Sequence, residues 1–291
     1  MNKKLQDKVA IVTGANQGLG FEIAKSFLIS GASVVICARN ADLLEKARLN
    51  LVAYATENQR ILSIPSDVSS INDVKEIVNK TLIELKGCHI LVNNAGIYGP
   101  KGSIETNDWS EWVKTIEINL FGSILMAREL IPIFKKQRYG KIIQLSGGGA
   151  TNPMPNISAY AVSKAAVIRF IETIAEELKG FNIDVNAIAP GALNTRMLDE
   201  IMEAGPDRVG INFFEKSKKQ KDNGGAGLIK ASELAVFLAN NDSDGITGKL
   251  ISAVWDKWEE FPSHKDELNS SDIFTLRRIV GLDRNIGWSD K

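Results

Sequence analysis

Short apolar runs alternate with amphipathic stretches along the chain. The runs at 8–12, 34–38, 61–64, 90–92, 140–146 and 183–188 are rich in Val, Ile and Leu, as strands buried on both faces are. Between them the apolar positions take helical spacing. This predicts helices over 21–29, 41–57, about 70–85, about 109–137, and from the Tyr160 region to about 179. Strand and helix alternate six times, which predicts a parallel sheet with helices on both faces, a three-layer α/β/α sandwich. No repeat and no linker interrupts the pattern before residue 195.

Composition narrows the possibilities. The 35 basic and 35 acidic residues cancel, which argues against a general binder of nucleic acid or anionic membrane. At 44% hydrophobic residues the chain can build a proper core. Cys37 and Cys88 lie in or beside apolar runs and read as buried free thiols, which fits a reducing compartment. Two histidines and no C-x-x-C pair argue against a zinc site. The first eight residues lack an apolar signal region, and no stretch reaches the ~18 apolar residues of a membrane span. A cytoplasmic protein is expected.

The first strand runs into Thr13-Gly14-Ala-Asn-Gln-Gly18-Leu-Gly20 and then a helix. Such a turn lets the backbone approach a pyrophosphate at a helix N-terminus, or is a plain tight turn. After the second strand, Arg39 stands where an acidic residue would select NAD. It leans to the 2′-phosphate of NADP, or caps a solvated loop. Asp67 meets an adenine amino group or caps the next helix. Asn93-Asn94-Ala95-Gly96 lets the backbone lie along a cofactor, or ties neighbouring strand ends together. Asn119 is an amide among apolar residues that must find partners. Ser146 closes the fifth strand at its carboxyl end, where open α/β sheets bind ligands. Tyr160 and Lys164, four apart on a helix, share a face. A lysine ammonium there would lower the phenol's pKa toward the neutral range, unless the pair is simply a solvated helix face.

Taken in order, Thr13-Gly14-x-x-x-Gly18-x-Gly20, Asn93-Asn-Ala-Gly96, Asn119, Ser146, Tyr160-x-x-x-Lys164 and Pro190-Gly191-x-x-x-Thr195 resemble the classical short-chain dehydrogenase/reductase family. The resemblance covers about 5–252 and thins after 196. It implies a Rossmann-type doubly wound sheet and an NAD(P)-dependent oxidoreductase acting on a secondary alcohol or ketone; Ala38 and Arg39 make NADP the expected preference. Tyr160 would be the general acid/base, Lys164 would lower its pKa and hold the nicotinamide ribose, Ser146 would bind the substrate oxygen, and Asn119 would hold a water of a proton path. Gly14, Gly18 and Gly20 would shape the pyrophosphate turn, Asp67 would meet adenine, Asn93 the adenosine ribose and Thr195 the carboxamide. Further cofactor contacts carry over to Asn16, Gln17, Leu19, Arg39, Val68, Ala95, Gly96, Pro190, Gly191 and Leu193.

The family pattern implies a substrate lid over 196–230, with Phe213-Phe214, a basic run at 216–221 and a glycine-rich hinge at 223–227. It places a last strand at 245–251 and ends the Rossmann domain at 252. The remaining 253–291 form an extension whose aromatics, Trp255, Trp258, Phe261, Phe274 and Trp288, suggest packing on the domain or on a partner subunit. The basic run leaves a sugar-derived or nucleotide-linked substrate open beside a 3-oxoacyl thioester and small ketones, or is a solvated helix face. The family implies a homodimer or homotetramer with a small-molecule substrate. Two rival readings are a dinucleotide-binding sensor without catalysis and a dehydratase or epimerase using transient oxidation.

Overall fold

The apolar runs become strands because both faces of each are covered. The computed structural model describes residues 3–288. Its sheet comprises β1 (Val9–Thr13), β2 (Ser33–Ala38), β3 (Ile61–Pro65), β4 (Ile90–Asn93), β5 (Gly140–Leu145), β6 (Ile183–Ala189) and β7 (Leu250–Ser252), in the order β3-β2-β1-β4-β5-β6-β7. Every pairing is parallel. The chain passes from β3 back across the sheet to β4, so strand order reverses between β1 and β4. That reversal opens a crevice at the carboxyl ends of the strands.

The helices are α1 (Gly18–Ile29), α2 (Ala41–Val52), α3 (Ile71–Leu85), α4 (Trp109–Ile116), α5 (Gly122–Gln137), α6 (Ser158–Glu177), α7 (Arg196–Val209), α8 (Ile211–Asp222), α9 (Leu228–Ala239) and α10 (Lys265–Ser270). One core layer packs α1 and α9 on the sheet through Ile23, Phe27, Leu234 and Leu238. The other packs α3, α5 and α6 through Ile77, Leu130, Phe134, Val167 and Ile171.

The structure departs from the sequence reading in four places. The last strand, expected over 245–251, is confined to Leu250–Ser252, because Gly245 and Gly248 take positive φ and bend the chain out of the extended form. The single helix expected over 109–137 is divided: a widened turn at Glu117–Phe121 separates α4 from α5 and holds Asn119. Such turns frequently mark functional sites. The helix expected to reach 57 stops at Val52, where Gln59 donates to the Leu28 and Ala32 carbonyls (2.7 and 2.6 Å) and pins the chain to α1. The first helix begins at Gly18 rather than 21: Gly18 opens it with a left-handed φ of +59°, and Gly20 lies within its first turn.

The extension packs back on its own domain. Trp258, Phe261 and Leu268 are buried in the α1/α9 layer, and the Trp258 ring meets Phe237 at 5.5 Å. Beside β7, the Leu250 N–H donates to the Phe274 carbonyl (2.7 Å), and Lys249 donates to the carbonyls of Ser271 and Ile273 (3.0 Å each). The edge strand is thereby covered. Trp255 and Trp288, in contrast, stand exposed.

Candidate functional site

The end of β1 and the end of β4 are bound together before any ligand is considered. The backbone N–H groups of Asn94 and Ala95 both donate to Thr13 Oγ1 at 3.0 Å. Asn94 Nδ2 donates to the Thr13 and Gly14 carbonyls (2.8 and 3.0 Å). A Cβ at Gly14, whose φ is +63°, would lie 2.8 Å from Ala95 Cα, and one at Gly20 would lie 2.5 Å from Asn94 Nδ2. Only glycine permits this close approach. No side chain caps α1, and its first turn holds no acidic residue. The amides of Gly18, Leu19 and Gly20 therefore lack helical partners at the wall of the crevice, where the helix dipole favours an anion.

The crevice is a cleft of about 990 Å³. Gly14, Asn16, Gln17, Gly18, Leu19, Gly20, Arg39, Asp67, Val68, Ala95 and Gly96 line it, as do Pro190, Gly191, Leu193 and Thr195. Asn93 does not. It is buried and donates to the Ser123 carbonyl (3.2 Å), and its neighbour Asn94 faces the cleft instead. Asp67 is not the cap of α3: that cap is Ser70, and Asp67 Oδ1 accepts from the Ser69 N–H and hydroxyl (2.9 and 2.6 Å). Arg39 is exposed, and no hydrogen bond or ion pair engages its guanidinium among the described residues. The cap of α2 is Asn40, whose Oδ1 accepts from Leu43 N–H at 2.9 Å.

Four polar groups converge where β4, β5 and α6 meet. Lys164 is buried and its Nζ donates to the Leu145 carbonyl (3.0 Å). Burial pulls its pKa down to about 8. Lys164 Nζ stands 5.6 Å from the centre of the Tyr160 ring. Tyr160 is also buried, and burial, followed by the nearby Tyr98, pushes its pKa above the usual phenol value. The sequence reading expected Lys164 to lower that pKa. In the structure burial sets the direction instead, because both groups are withdrawn from water and each then disfavours its charged form. Asn119 Oδ1 accepts from Ile97 N–H (2.8 Å), while Nδ2 donates to the Ile97 carbonyl and to Ser163 Oγ (2.9 Å each). Both Asn119 donors are thus spent on protein. Ser146 Oγ is buried and has no hydrogen-bond partner. Gly147 follows it, and a Cβ there would collide with the Tyr160 hydroxyl, so the absence of a side chain sets where that phenol sits.

Several cleft residues escaped the sequence reading. Tyr98 tilts against Tyr160 with ring centres 4.6 Å apart, and Met154 also lines the cleft, as does Trp255 of the extension, whose aromatics the sequence reading had already singled out. None has a motif; their place follows from tertiary packing alone. From the region expected as lid, Met197 and Leu198 of α7 and Phe213, Lys216, Ser217 and Gln220 of α8 face the cleft. Gln220 donates to the Leu193 carbonyl (3.0 Å). Of the lysines in the basic run, only Lys216 lines the cleft, and Lys221 pairs with Asp199 (2.8 Å).

Comparison with known proteins places this geometry. Residues 8–205 match the family model of short chain dehydrogenases. A Caenorhabditis elegans protein named dehydrogenase/reductase SDR family member 4 is 31% identical, covering 86% of this chain and 94% of that one. The structure is similar to that of NAD+-bound xylitol dehydrogenase, with a TM-score of 0.78 at 26% identity over 86% of this chain and 98% of that one. It is also similar to 3-ketoacyl-(acyl-carrier-protein) reductase from Brucella melitensis complexed with NADH, with a TM-score of 0.73 at 29% identity over 85% and 97% of the two chains. The chain belongs to the short-chain dehydrogenase/reductase family of oxidoreductases, which use NAD(P)H and act on CH–OH groups.

Proposed function

We propose that this enzyme interconverts a secondary alcohol and its ketone, with NADP preferred over NAD. The observation that carries this reading is the buried, unpartnered Ser146 hydroxyl beside the Tyr160 phenol. A buried hydroxyl without a partner is costly, so it is kept where a ligand oxygen completes it. The cradle of Gly14, Gly18 and Gly20, with the uncapped first turn of α1, fits a dinucleotide pyrophosphate. When bound, that cofactor supplies or accepts the hydride.

The protein's own groups do the rest. Ser146 donates a hydrogen bond to the substrate oxygen and stabilises charge developing there. Tyr160 gives a proton to that oxygen in reduction and takes one in oxidation. Its burial favours the neutral phenol, the form that protonates a ketone. Lys164, titrating near 8, is poised to exchange protons close to neutral pH beside it. Asn119 acts by position: its amide clamps the Ile97 backbone at the cleft wall and ties it to Ser163 of α6.

Arg39 supports the cofactor preference. A guanidinium with no protein partner among the described residues, at the end of β2, is available to a 2′-phosphate. Calorimetry on protein stripped of nucleotide tests it. NADPH should bind at least tenfold tighter than NADH, about 1.4 kcal/mol, and Arg39→Ala should erase the difference. Tighter NADH binding would reverse the preference, and binding of neither would overturn the function. The exposed apolar side chains of Trp109, Phe121 and Val162 support assembly into a homodimer or homotetramer. The two buried, unpaired thiols, Cys37 and Cys88, support a cytoplasmic setting.

A further inference from the structure

Three consecutive glycines follow Ser146, and their surroundings differ. At Gly147 a Cβ would meet the Tyr160 hydroxyl. At Gly149 it would lie 2.5 Å from Ala161 Cα, the backbone of the helix that carries Tyr160. Packing therefore enforces glycine at both. At Gly148 the nearest atom to such a Cβ is Met154 Sδ, at 3.7 Å, an ordinary contact. Nor does the backbone require glycine there. Gly148 opens a short helical turn, Gly148–Ala150, and is not among the residues with positive φ. Glycine without a conformational or packing reason only adds to the entropy lost on folding.

What Gly148 does provide is space. It lines the cleft two residues after Ser146, with the side chains of Met154 and Tyr98 lining the same cleft. Met154 is half-buried, and its flexible thioether adapts to an apolar neighbour. Tyr98 lies against the Tyr160 ring and offers a second apolar face. We propose that Gly148 keeps open a bay beside Ser146 and Tyr160 that receives a bulky apolar substituent of the substrate. The enzyme's substrates are then ketones and secondary alcohols with a ring-sized apolar group near the reacting carbon. Gly148 determines specificity and takes no part in proton transfer. This inference rests on the proposed alcohol/ketone chemistry.

The test compares NADPH-dependent reduction of 4-phenylbutan-2-one and butan-2-one by the wild type and by Gly148→Val. The wild type should favour the aryl ketone in kcat/KM by about tenfold or more, and the valine should remove most of that preference, since a pocket contact of this size changes discrimination by about 10- to 200-fold. The melting temperature and the NADPH affinity of Gly148→Val should match the wild type, because a Cβ at 148 meets only Met154 Sδ, at an ordinary 3.7 Å. Gly148→Ala should fall between the two. An unchanged preference in Gly148→Val, or an equal loss on both ketones, would overturn the inference and leave the proposed function standing. Bound NADPH with neither ketone reduced would overturn this substrate class alone. Absence of both NADPH and NADH binding to the wild type would bring down the proposed function itself.

Discussion

Two buried lysines meet the two ends of β5, and they are treated in opposite ways. Lys141, near the amino end, is 2% exposed, and its ammonium donates to Asp184 (2.6 Å), Asp244 (2.7 Å) and Ser243 (3.3 Å). Lys164 is 5% exposed and its ammonium makes a single hydrogen bond among the described residues, to the Leu145 carbonyl at the carboxyl end of the same strand. The contrast extends to their neighbours. At the amino end, Val9 N–H donates to His89 Nδ1 (3.0 Å), and Lys8 sits over the Tyr139 ring at 3.9 Å. At the carboxyl end, among the described residues, Ser146 Oγ has no partner and no protein group engages the Arg39 guanidinium. Polar groups satisfied by the protein hold one end of the sheet together. Those left open at the other end are what a ligand completes, at a cost in stability.

That division can be broken in order of expected effect. Tyr160→Phe should lower kcat by about 10²- to 10⁴-fold, the usual contribution of a positioned acid/base, while NADPH affinity holds. Steady-state rates beside calorimetry check this, and retained turnover would remove Tyr160 from the chemistry. Lys141→Met should lower the unfolding free energy by about 3–5 kcal/mol, because it strands the buried Asp184 without its cation. Urea denaturation measures it. Ser146→Ala should cost about 10²- to 10³-fold in kcat, as loss of one oxyanion donor does, yet leave the melting temperature equal or higher, since the hydroxyl it removes has no partner. A marked fall in melting temperature would show that Ser146 is structural.

The strands were legible because burial on both faces leaves continuous apolar runs, and those runs end near the observed strand ends. The glycine turn and the Tyr160–Lys164 spacing were legible because each needs particular residues at fixed offsets. Other features were not. The widened turn at Glu117–Phe121 has the composition of ordinary helix; the side-chain bonds of Asn119 to Ile97 and Ser163 accompany it, and these are tertiary. Asn93 and Asn94 look alike in sequence, and only the strand's register decides that Asn94 faces the cleft. The direction of the Tyr160 shift depends on how deeply the phenol is buried, which spacing along a helix does not encode. In the extension the aromatics divided: Trp258 and Phe261 pack, while Trp255 stands exposed at the cleft. Gly148 differs from Gly147 and Gly149 only in what surrounds it.

The most direct measurement is equilibrium urea unfolding of Lys164→Met beside Lys141→Met. Burial lowers the Lys164 pKa from 10.5 to about 8. A charged lysine at that site therefore weakens the fold at pH 7 by up to about 3 kcal/mol. The folded state holds this proton more weakly than the unfolded chain, so the penalty is complete below about pH 8 and fades as pH rises to 10.5. Lys164→Met should therefore be as stable as the wild type or more so at pH 7, with the difference shrinking over that window, while Lys141→Met is clearly destabilised. If Lys164→Met instead loses as much stability as Lys141→Met, then Lys164 is a structural lysine and the two ends of the sheet do not differ in the way described.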